Sequence, residues 1–317
     1  MERRKMNRKN HIYFLIFFLL FTAFSLLCAS EKLLLWEAVH PEKAGKLFLA
    51  GSIHLGKKEL FPLDKRYDEV LAKCDEMVFE VYDEDPSVTL KTTIEFIQKK
   101  AFYVPGKTLK QLMGEKELLL LDSFYKSRGN MLFMQNGISR RPWIIMLDLT
   151  QIIALESKLS IQYGFEEVFR KLKKERPARG LEQVYTQLSM LEGTDEKLLC
   201  SIILNGIKDP AKEKKELANI LTALQTGNIS LLAAQTNEMA EKYPLFHKRL
   251  FLARNWDMTE KLSGFASEKK SFFVLIGAAH FAGKGNILEL LKGKGFLVKQ
   301  LDRTGEKGKI TGEETDE

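Results

Sequence analysis

Two segments of the chain share the pattern Gly-x-x-His, and in both the histidine follows a short apolar run. They are Gly51-Ser52-Ile53-His54 and Gly277-Ala278-Ala279-His280. A histidine just past the carboxyl end of a buried strand lies in the crevice where open α/β sheets bind ligands. The glycine lets the backbone turn tightly or approach a ligand. One copy arises easily by chance, but two copies at equivalent places in a repeated unit predict one shared polar site.

Glu80 is a charge inside an otherwise apolar strand, Val78-Phe79-Glu80-Val81-Tyr82. A carboxylate near the end of such a strand costs free energy unless it is paired, hydrogen-bonded or bound to a metal. An outward-facing residue on an edge strand is the alternative interpretation. Because the two histidines are also at strand ends, we expect Glu80 to join them.

Arg254 is a second charge on a packing surface, on a helix predicted over residues 245–262. The apolar residues in line with it are Leu250, Phe251, Met258 and Leu262. A guanidinium in that place requires a carboxylate or a bound anion. A structural salt bridge is the alternative to a functional role, and its candidate partners are Glu80, Glu166 and Glu182.

Two imidazoles and a carboxylate are a common ligand set for a divalent transition metal, and they leave positions open for water and substrate. Such an ion lowers the pKa of its water and polarises a carbonyl group. The sequence has no His-Glu-x-x-His, no Gly-x-Ser-x-Gly and no Walker loop, which argues against the usual zincin, serine-hydrolase and P-loop architectures. The residues therefore predict a metal site of another kind.

The apolar patterns around both motifs predict the same order of elements, a strand, a helix and a strand. The predicted strands are at 33–39, 46–51, 77–81, 271–277 and 295–301, and the helices at 63–73 and 287–292. This order is typical of parallel sheets. We expect an α/β fold in which two related β-α-β-containing halves form a sheet core, with Gly-x-x-His at equivalent strand ends.

The chain between the two halves is predicted to be a largely helical insertion. Apolar residues recur there at helical spacing in six segments. The segments are 108–126, 142–158, 165–174, 211–225, 230–242 and 245–262. Residues 177–182 are predicted as a short strand and turn. Residues 303–317 have almost no apolar side chains, so we expect a flexible tail.

The first 30 residues predict an export signal. Five Arg and Lys against one Glu precede an uncharged run at 12–27, and small residues follow at Ala29 and Ser30. The run is shorter than a membrane-spanning helix prefers, so cleavage near Ser30 is expected. A retained membrane anchor and lipid attachment at Cys28 are the alternatives. In each case the domain at 31–302 lies outside the cytoplasm.

Charge and cysteine content indicate which partners and which cysteine chemistry to expect. Without the five cations and one acid of the first 30 residues, the formal charge falls from +7 to +3. The remaining Lys-rich stretches alternate with Glu, unlike a nucleic-acid footprint, so nucleic acid is not an expected partner. Cys74 and Cys200 lack a metal-ligand spacing. They would form either one disulfide bond or two buried thiols.

Together these residues resemble the TraB/GumN family, which includes the animal TIKI proteins and the bacterial pheromone-shutdown proteins. The resemblance covers about residues 47–301. The segments that carry it are Leu47-Phe48-Leu49-Ala50-Gly51-Ser52-Ile53-His54-Leu55-Gly56, Val78-Phe79-Glu80-Val81, Gly180-Leu181-Glu182, Arg254-Asn255 and Val274-Leu275-Ile276-Gly277-Ala278-Ala279-His280. The resemblance implies a fold linked to the haem-binding ChaN and the erythromycin-esterase-like (EreA-like) proteins.

The resemblance also implies a ligand set and a function. TIKI members act as metal-dependent proteases through the Gly-x-x-His histidines and an acidic residue. By this resemblance His54, Glu80 and His280 would hold a divalent ion (Mn, Co or Zn), and Arg254 would stabilise developing negative charge. The expected function is an exported metal-dependent hydrolase of peptidase type, with a peptide or protein substrate outside the cytoplasm. The alternatives are a non-catalytic envelope protein that binds a peptide or haem, and a structural envelope protein.

Glu166 marks a departure from the family pattern. Where GumN-like members have Tyr-Gly-x-Asp, this chain has Tyr163-Gly164-Phe165-Glu166. Glutamate keeps the charge and lengthens its reach by one methylene. Glu166 therefore joins Glu80 and Arg254 as a candidate catalytic residue, either in the geometry of the metal site or as the partner of Arg254.

Overall fold

One six-stranded sheet forms the centre of the protein. The computed structural model describes residues 32–312, so the predicted export signal lies outside the described residues. The strands are β1 (Lys32–Val39), β2 (Lys46–Ser52), β3 (Glu76–Val81), β4 (Ala178–Glu182), β5 (Ser271–Gly277) and β6 (Leu297–Asp302). Their order across the sheet is β4-β3-β5-β2-β1-β6. The α/β fold expected from the sequence is confirmed.

The middle of the sheet is parallel. β2 pairs with β5, β5 with β3 and β3 with β4, all in parallel, whereas β1 is antiparallel to both β2 and β6. Strands β3 and β5 are buried along nearly all of their length, as expected for parallel strands that are covered on both faces. Because these strands point the same way, their carboxyl ends lie together at one end of the sheet.

The two predicted halves interleave in the sheet. β3 from the N-terminal half pairs with β5 from the C-terminal half, and β6 lies at the far edge beside β1. β2 and β5, the strands that precede the two Gly-x-x-His histidines, are direct neighbours, with Ser52 opposite Gly277. His54 and His280 therefore follow adjacent strand ends.

Helices cover the sheet and form the insertion. Those of the described residues are α1 (Lys65–Leu71), α2 (Pro86–Lys100), α3 (Glu115–Lys126), α4 (Pro142–Glu156), α5 (Phe165–Leu172), α6 (Val184–Glu192), α7 (Glu196–Lys208), α8 (Pro210–Thr226), α9 (Ser230–Lys242), α10 (Pro244–His247), α11 (Ala253–Phe265) and α12 (Ile287–Gly293). Each of the six predicted helical segments contains a helix, whereas α2, α6 and α7 lie outside them. Among the helices described, none combines the length and the apolar character that crossing a bilayer requires.

The helix that carries Arg254 contains a π-helical turn. α10 continues through this turn, at Lys248–Leu252, into α11. Such turns leave backbone carbonyl groups without their usual helical partners and are frequent at functional sites. Here the carbonyl of Leu250 accepts a hydrogen bond from Nη1 of Arg254 at 3.1 Å.

Cys74 and Cys200 lie in different hydrophobic cores. Cys74 belongs to the main core around the sheet, and Cys200 to a smaller core among α3, α4 and α7. Both thiols are free and buried. Of the two interpretations open from the sequence, the structure supports two separate thiols.

The segment after β6, as far as residue 312, contacts the loop before α1, and the flexible tail expected at 303–317 stays a prediction. Ile310 is 2% exposed, and its carbonyl accepts a hydrogen bond from the Leu63 N–H at 3.0 Å. Asp64, the N-cap of α1, accepts hydrogen bonds from the N–H and the hydroxyl of Thr304 at 3.1 and 2.9 Å. One apolar anchor and one carboxylate hold a segment whose composition alone predicts fraying.

Candidate functional site

His280 is buried at the carboxyl end of β5, on a short 3₁₀ turn, Ala278–Phe281, with 4% of the residue exposed. Its Nδ1 lies 2.5 Å from Oδ1 of Asn255, whose Nδ2 donates to the carbonyl of Gly285 at 2.9 Å. Because the amide nitrogen is committed to Gly285, Oδ1 faces the ring and Nδ1 carries the proton. Burial lowers the pKa of His280 to about 4. The ring is therefore neutral at pH 7, and Nε2 keeps its lone pair.

Glu80 lies on the neighbouring strand, near the end of β3, with its carboxylate ionised. Oε1 is 4.0 Å from Nε2 of His280. The same oxygen accepts hydrogen bonds from Nη2 of Arg254 at 2.5 Å and Nε2 of Gln187 at 2.8 Å. Oε2 accepts one from the N–H of Gly277 at 2.9 Å. Burial alone would raise the pKa of Glu80, but His280 and the Arg254 guanidinium outweigh it and lower the pKa to about 2.

The glycines of the two motifs make room for packing. A Cβ atom on Gly277 would lie 3.2 Å from Oε2 of Glu80, so a side chain there would push the carboxylate away from the N–H that it accepts from. A Cβ atom on Gly51 would lie 3.3 Å from Cβ of Ala278. The sequence predicts that these glycines permit a tight turn or the approach of a ligand, whereas in the structure Gly277 leaves room for a buried carboxylate.

Arg254 joins two buried carboxylates. Its Nε and Nη2 donate to Glu182 at 3.0 and 2.7 Å, and Nη2 also donates to Glu80. The side chains of Arg254, Glu80 and Glu182 are 10%, 5% and 5% exposed. Gln187 bridges the same two carboxylates, at 2.8 and 3.2 Å. Of the three partners left open by the sequence, the structure gives Arg254 both Glu80 and Glu182.

Glu166, the third candidate partner, faces His54 instead. Nδ1 of His54 is 3.2 Å from Oε1 of Glu166, which also accepts a hydrogen bond from the hydroxyl of Ser52. The charge of Glu166 and its hydrogen bond raise the pKa of His54 to about 9, so this ring holds a proton at neutral pH. The His54 side chain is 68% exposed. Oε2 of Glu166 is buried without a hydrogen-bond partner in the described part of the chain.

Backbone contacts hold the His54 loop against the start of α5. The N–H of Phe165 donates to the carbonyl of Ile53 at 3.0 Å. Gly164 permits this approach, because a Cβ atom there would lie 2.1 Å from the carbonyl oxygen of His54. The segment that departs from the family pattern thus places Glu166, in the first turn of α5, beside His54.

The pair Glu80 and His280 and the pair Glu166 and His54 lie side by side at adjacent strand ends. Ser52 and Gly277 pair across β2 and β5, and neighbouring strands are about 4.8 Å apart. After Glu166 and burial, the charges of Glu80 and Arg254 also act on the pKa of His54. The structure therefore brings every candidate residue to the carboxyl end of the parallel strands, with Glu80 near His280 and Glu166 near His54.

The donor groups suit a divalent ion in chemistry, although they are not assembled around one point. No three His, Cys, Asp or Glu side chains within residues 32–312 are close enough together to hold a metal ion. His280 has the pattern of a ligand, with Nδ1 fixed by an amide oxygen and Nε2 available. Oε2 of Glu80 retains a lone pair beyond its bond to Gly277. His54 would have to leave Glu166 and lose its proton before it became a donor.

Three polar residues of the site were not among the predicted site residues. Ser52 stands inside the first motif, and Asn255 directly follows Arg254, so both were on segments already singled out. Gln187 lies on α6, a helix that the apolar spacing did not predict. Its role depends on where α6 packs, and no local pattern in the sequence indicates that.

Comparisons with known proteins agree with this picture. A protein of Treponema pallidum (strain Nichols), described as uncharacterized, is 23% identical over 293 residues, which is 86% of this chain and 83% of its own length. No solved structure matches the chain. The TraB/PrgY/gumN family pattern matches residues 34–300, a range that contains every residue of the site. The resemblance seen in the motifs is thus confirmed, and the chain belongs to the TraB/PrgY/gumN family.

Proposed function

We propose that the protein is an exported metal-dependent hydrolase that acts on peptide or protein substrates outside the cytoplasm. The observation that supports this most strongly is the state of His280, a buried neutral ring with Nδ1 bound to Asn255 and Nε2 4.0 Å from an ionised carboxylate. A neutral imidazole whose Nδ1 is fixed by an amide oxygen and whose Nε2 keeps its lone pair is arranged as a metal ligand.

The crevice at the carboxyl ends of β2, β3 and β5, where the candidate residues lie, has a charge that also favours a cation. Three carboxylates converge there, those of Glu80, Glu166 and Glu182, and the positive groups that meet them are Arg254 and the protonated His54. One negative charge is left in excess. It lies with Glu80 and Glu182, which share the single guanidinium of Arg254.

In this proposal His280 and Glu80 are the fixed donors, and His54 would complete the set after its ring turns away from Glu166 and releases its proton to solvent. Imidazole and carboxylate together accept Mn, Co or Zn. When bound, such an ion lowers the pKa of water and polarises the carbonyl of the scissile bond.

Glu166 is the proton carrier of the proposal. When His54 turns away, the Glu166 carboxylate loses its cationic partner and retains the hydroxyl of Ser52. Glu166 would take a proton from the attacking water and return it to the leaving amine.

Arg254 acts by positioning in this proposal. It fixes the positions of Glu80 and Glu182 by donating hydrogen bonds to both, and Gln187 bridges the same pair. The role that family resemblance implies for Arg254, stabilisation of developing negative charge, requires one of these carboxylates to release it. That role stays a prediction.

The test is metal binding and peptide cleavage by the purified protein. Calorimetric titration with Mn²⁺, Co²⁺ and Zn²⁺ measures binding, and mass spectrometry of a mixed peptide pool measures cleavage. We expect His54→Ala and His280→Ala to weaken binding and abolish cleavage. His40→Ala is the matched control, because His40 follows the antiparallel strand β1 and lies near the amino end of β2, away from the site. This substitution should leave metal binding and cleavage unchanged.

Metal binding that survives the double substitution His54→Ala/His280→Ala would overturn the proposal. Stable peptide binding without cleavage, in every metal tried, would favour the non-catalytic alternative. A Soret absorbance band after haem addition would favour its haem-binding form.

A further inference from the structure

A cavity lies beside the crevice, among helices α7, α8, α9 and α10. Its volume is about 310 Å³, roughly the share of ten water molecules in the liquid. Phe251 and Ala279 form the wall on the side of the crevice. Ala279 directly precedes His280, and the ring of Phe251 meets the ring of His280 edge-on with centroids 5.1 Å apart. The cavity and the crevice therefore share a wall.

Part of the cavity lining is apolar. Side chains from four helices contribute to that part, and they include Ile202, Ile220, Leu232, Met239 and Phe246. Burial of an alkyl or aromatic group against such a surface is favourable. The volume is at the lower limit of small-molecule pockets, which favours a single side chain or a small molecule over a large ligand.

The polar part of the lining has more carboxylates than cations. Glu213, Glu216 and Glu238 contribute to it, against Lys212 and Lys242. The Lys212 ammonium pairs with Glu238 and lies 3.8 Å from Glu216. Lys212 and Lys242 act on the charge of Glu213 as well, but neither forms an ion pair with it among the described residues.

Glu213 is the carboxylate that lacks a partner. It is partly buried, and within the described residues it makes no hydrogen bond and no ion pair. One of its oxygens would lie 3.4 Å from a Cβ atom on Gly206, so the carboxylate lies over α7. Burial raises the pKa of Glu213. A cation that entered the cavity would relieve the cost of keeping this group charged.

We propose that the cavity binds an apolar group that ends in a cation, with its chain against the apolar surface and its charge at Glu213 and Glu216. Charge complementarity selects the occupant, because a neutral or anionic head group would leave Glu213 unpaired or repelled. Binding by itself does not depend on the proposed hydrolase activity. That the occupant is a substrate side chain next to the scissile bond does rest on the proposed function.

The test compares three probes with the same hexyl chain, namely n-hexylamine, 1-hexanol and hexanoate, at pH 7. The protein carries ¹³C-labelled methionine methyl groups, so Met239 in the cavity reports binding and Met113, in the core among α3, α4 and α7, serves as the internal reference. We expect the amine to bind about fivefold more tightly than the alcohol, since hydrogen bonds to charged groups exceed neutral ones by about 1 kcal/mol. Hexanoate should bind most weakly.

Two substitutions separate charge from shape. Glu213→Gln and Glu216→Gln should each reduce the advantage of the amine over the alcohol. Glu241→Gln removes the same charge from an exposed position on α9 outside the cavity lining, and it should leave the advantage intact.

The proposal is overturned if no probe shifts Met239, if amine and alcohol bind equally, or if the preference for the amine persists in Glu213→Gln/Glu216→Gln. None of these outcomes bears on metal binding. Conversely, a protein that prefers the amine but binds no metal would retain this cavity assignment and lose the hydrolase proposal.

Discussion

Two networks of arginine and glutamate lie at opposite ends of the same strands, and they differ in what they leave unsatisfied. β3 begins at Glu76 and carries Glu80 near its end, while β4 carries Arg179 near its start and ends at Glu182. The amino-end network joins Glu76 to Arg179. The carboxyl-end network joins Glu80 and Glu182 to Arg254.

The amino-end network is balanced and open to water. Glu76 accepts hydrogen bonds from Arg179 at 2.7 Å and from Lys270 at 3.0 Å, and Arg179 also donates to Glu268 at 2.9 Å. Two carboxylates meet two cations. The side chains of Arg179 and Lys270 are 30% and 44% exposed, so solvent screens their charges.

The carboxyl-end network is unbalanced and closed. Arg254, 10% exposed, serves two carboxylates that are each 5% exposed. Beside it, Nε2 of His280 faces Glu80 at 4.0 Å, and Oε2 of Glu166 has no hydrogen-bond partner in the described residues. Buried charge is present at both ends of the strands. The excess carboxylate, together with Oε2 of Glu166, which has no partner among the described residues, distinguishes the end where we place the function.

The largest expected effect is the loss of Arg254. Arg254→Ala leaves two buried carboxylates without their cation, and breaking a buried pair in this way costs about 3–5 kcal/mol. Arg179→Ala is the matched substitution at the other end, and it leaves Glu76 with Lys270. Because Arg179 is partly exposed and the buried Glu76 keeps Lys270 as its partner, we expect a cost of about 1 kcal/mol. Urea denaturation of both variants measures the difference in the free energy of unfolding.

Equal costs at the two ends would contradict the comparison. They would mean that water reaches the carboxyl-end network, or that the carboxylates take up protons when Arg254 is removed. Arg254→Lys tests the second point, since a lysine ammonium restores the charge without the two-sided geometry of a guanidinium.

A smaller effect is expected at Asn255, and on binding more than on stability. Asn255 orients His280, and removing such a supporting residue typically reduces metal affinity about 10–100-fold. Asn255→Ala should show this loss in calorimetric titration, provided that the proposed metal site is correct. Asn286→Ala is the control, because Asn286 caps α12 by accepting from the Glu289 N–H at 3.0 Å. It should lower stability by about 1 kcal/mol and leave metal affinity unchanged.

Much of the fold follows from local pattern. The strands of both halves are short apolar runs, and the structure has them within two residues of the predicted bounds. Helix α2 was missed because Phe96 is its one fully buried side chain, so its apolar spacing is weak. The contacts of residues 303–312 could not be predicted, because a single apolar residue, Ile310, is buried there. An anchor of one residue produces no periodic signal.

The site was predictable where a charge conflicts with its surroundings. Glu80 and Arg254 are costly to bury alone, so a partner for each could be expected from the sequence. The pairing itself could not, because it depends on how β3, β4 and α11 pack. The sequence allowed two roles for Glu166, one in the geometry of the metal site and one as the partner of Arg254. In the structure Glu166 lies beside His54. Gln187 gave no signal, since an uncharged amide on a helix is ordinary.

The smallest effect we expect concerns the pH dependence of the amino-end network. Burial would raise the pKa of Glu76, but its hydrogen bonds from Arg179 and Lys270 lower the pKa below the usual 4.5. A carboxyl group with a lowered pKa adds stability above its unfolded pKa, and the gain is lost as the pH falls through the folded pKa. Glu76→Gln should therefore be less stable than the parent by about 1 kcal/mol at pH 7. The gap should close as the pH falls below 4.5, in urea denaturation at pH 7, 5, 4 and 3. A gap that stays constant would mean that the Glu76 side chain contributes by shape alone, and the balance of charges at this end would then contribute nothing to stability.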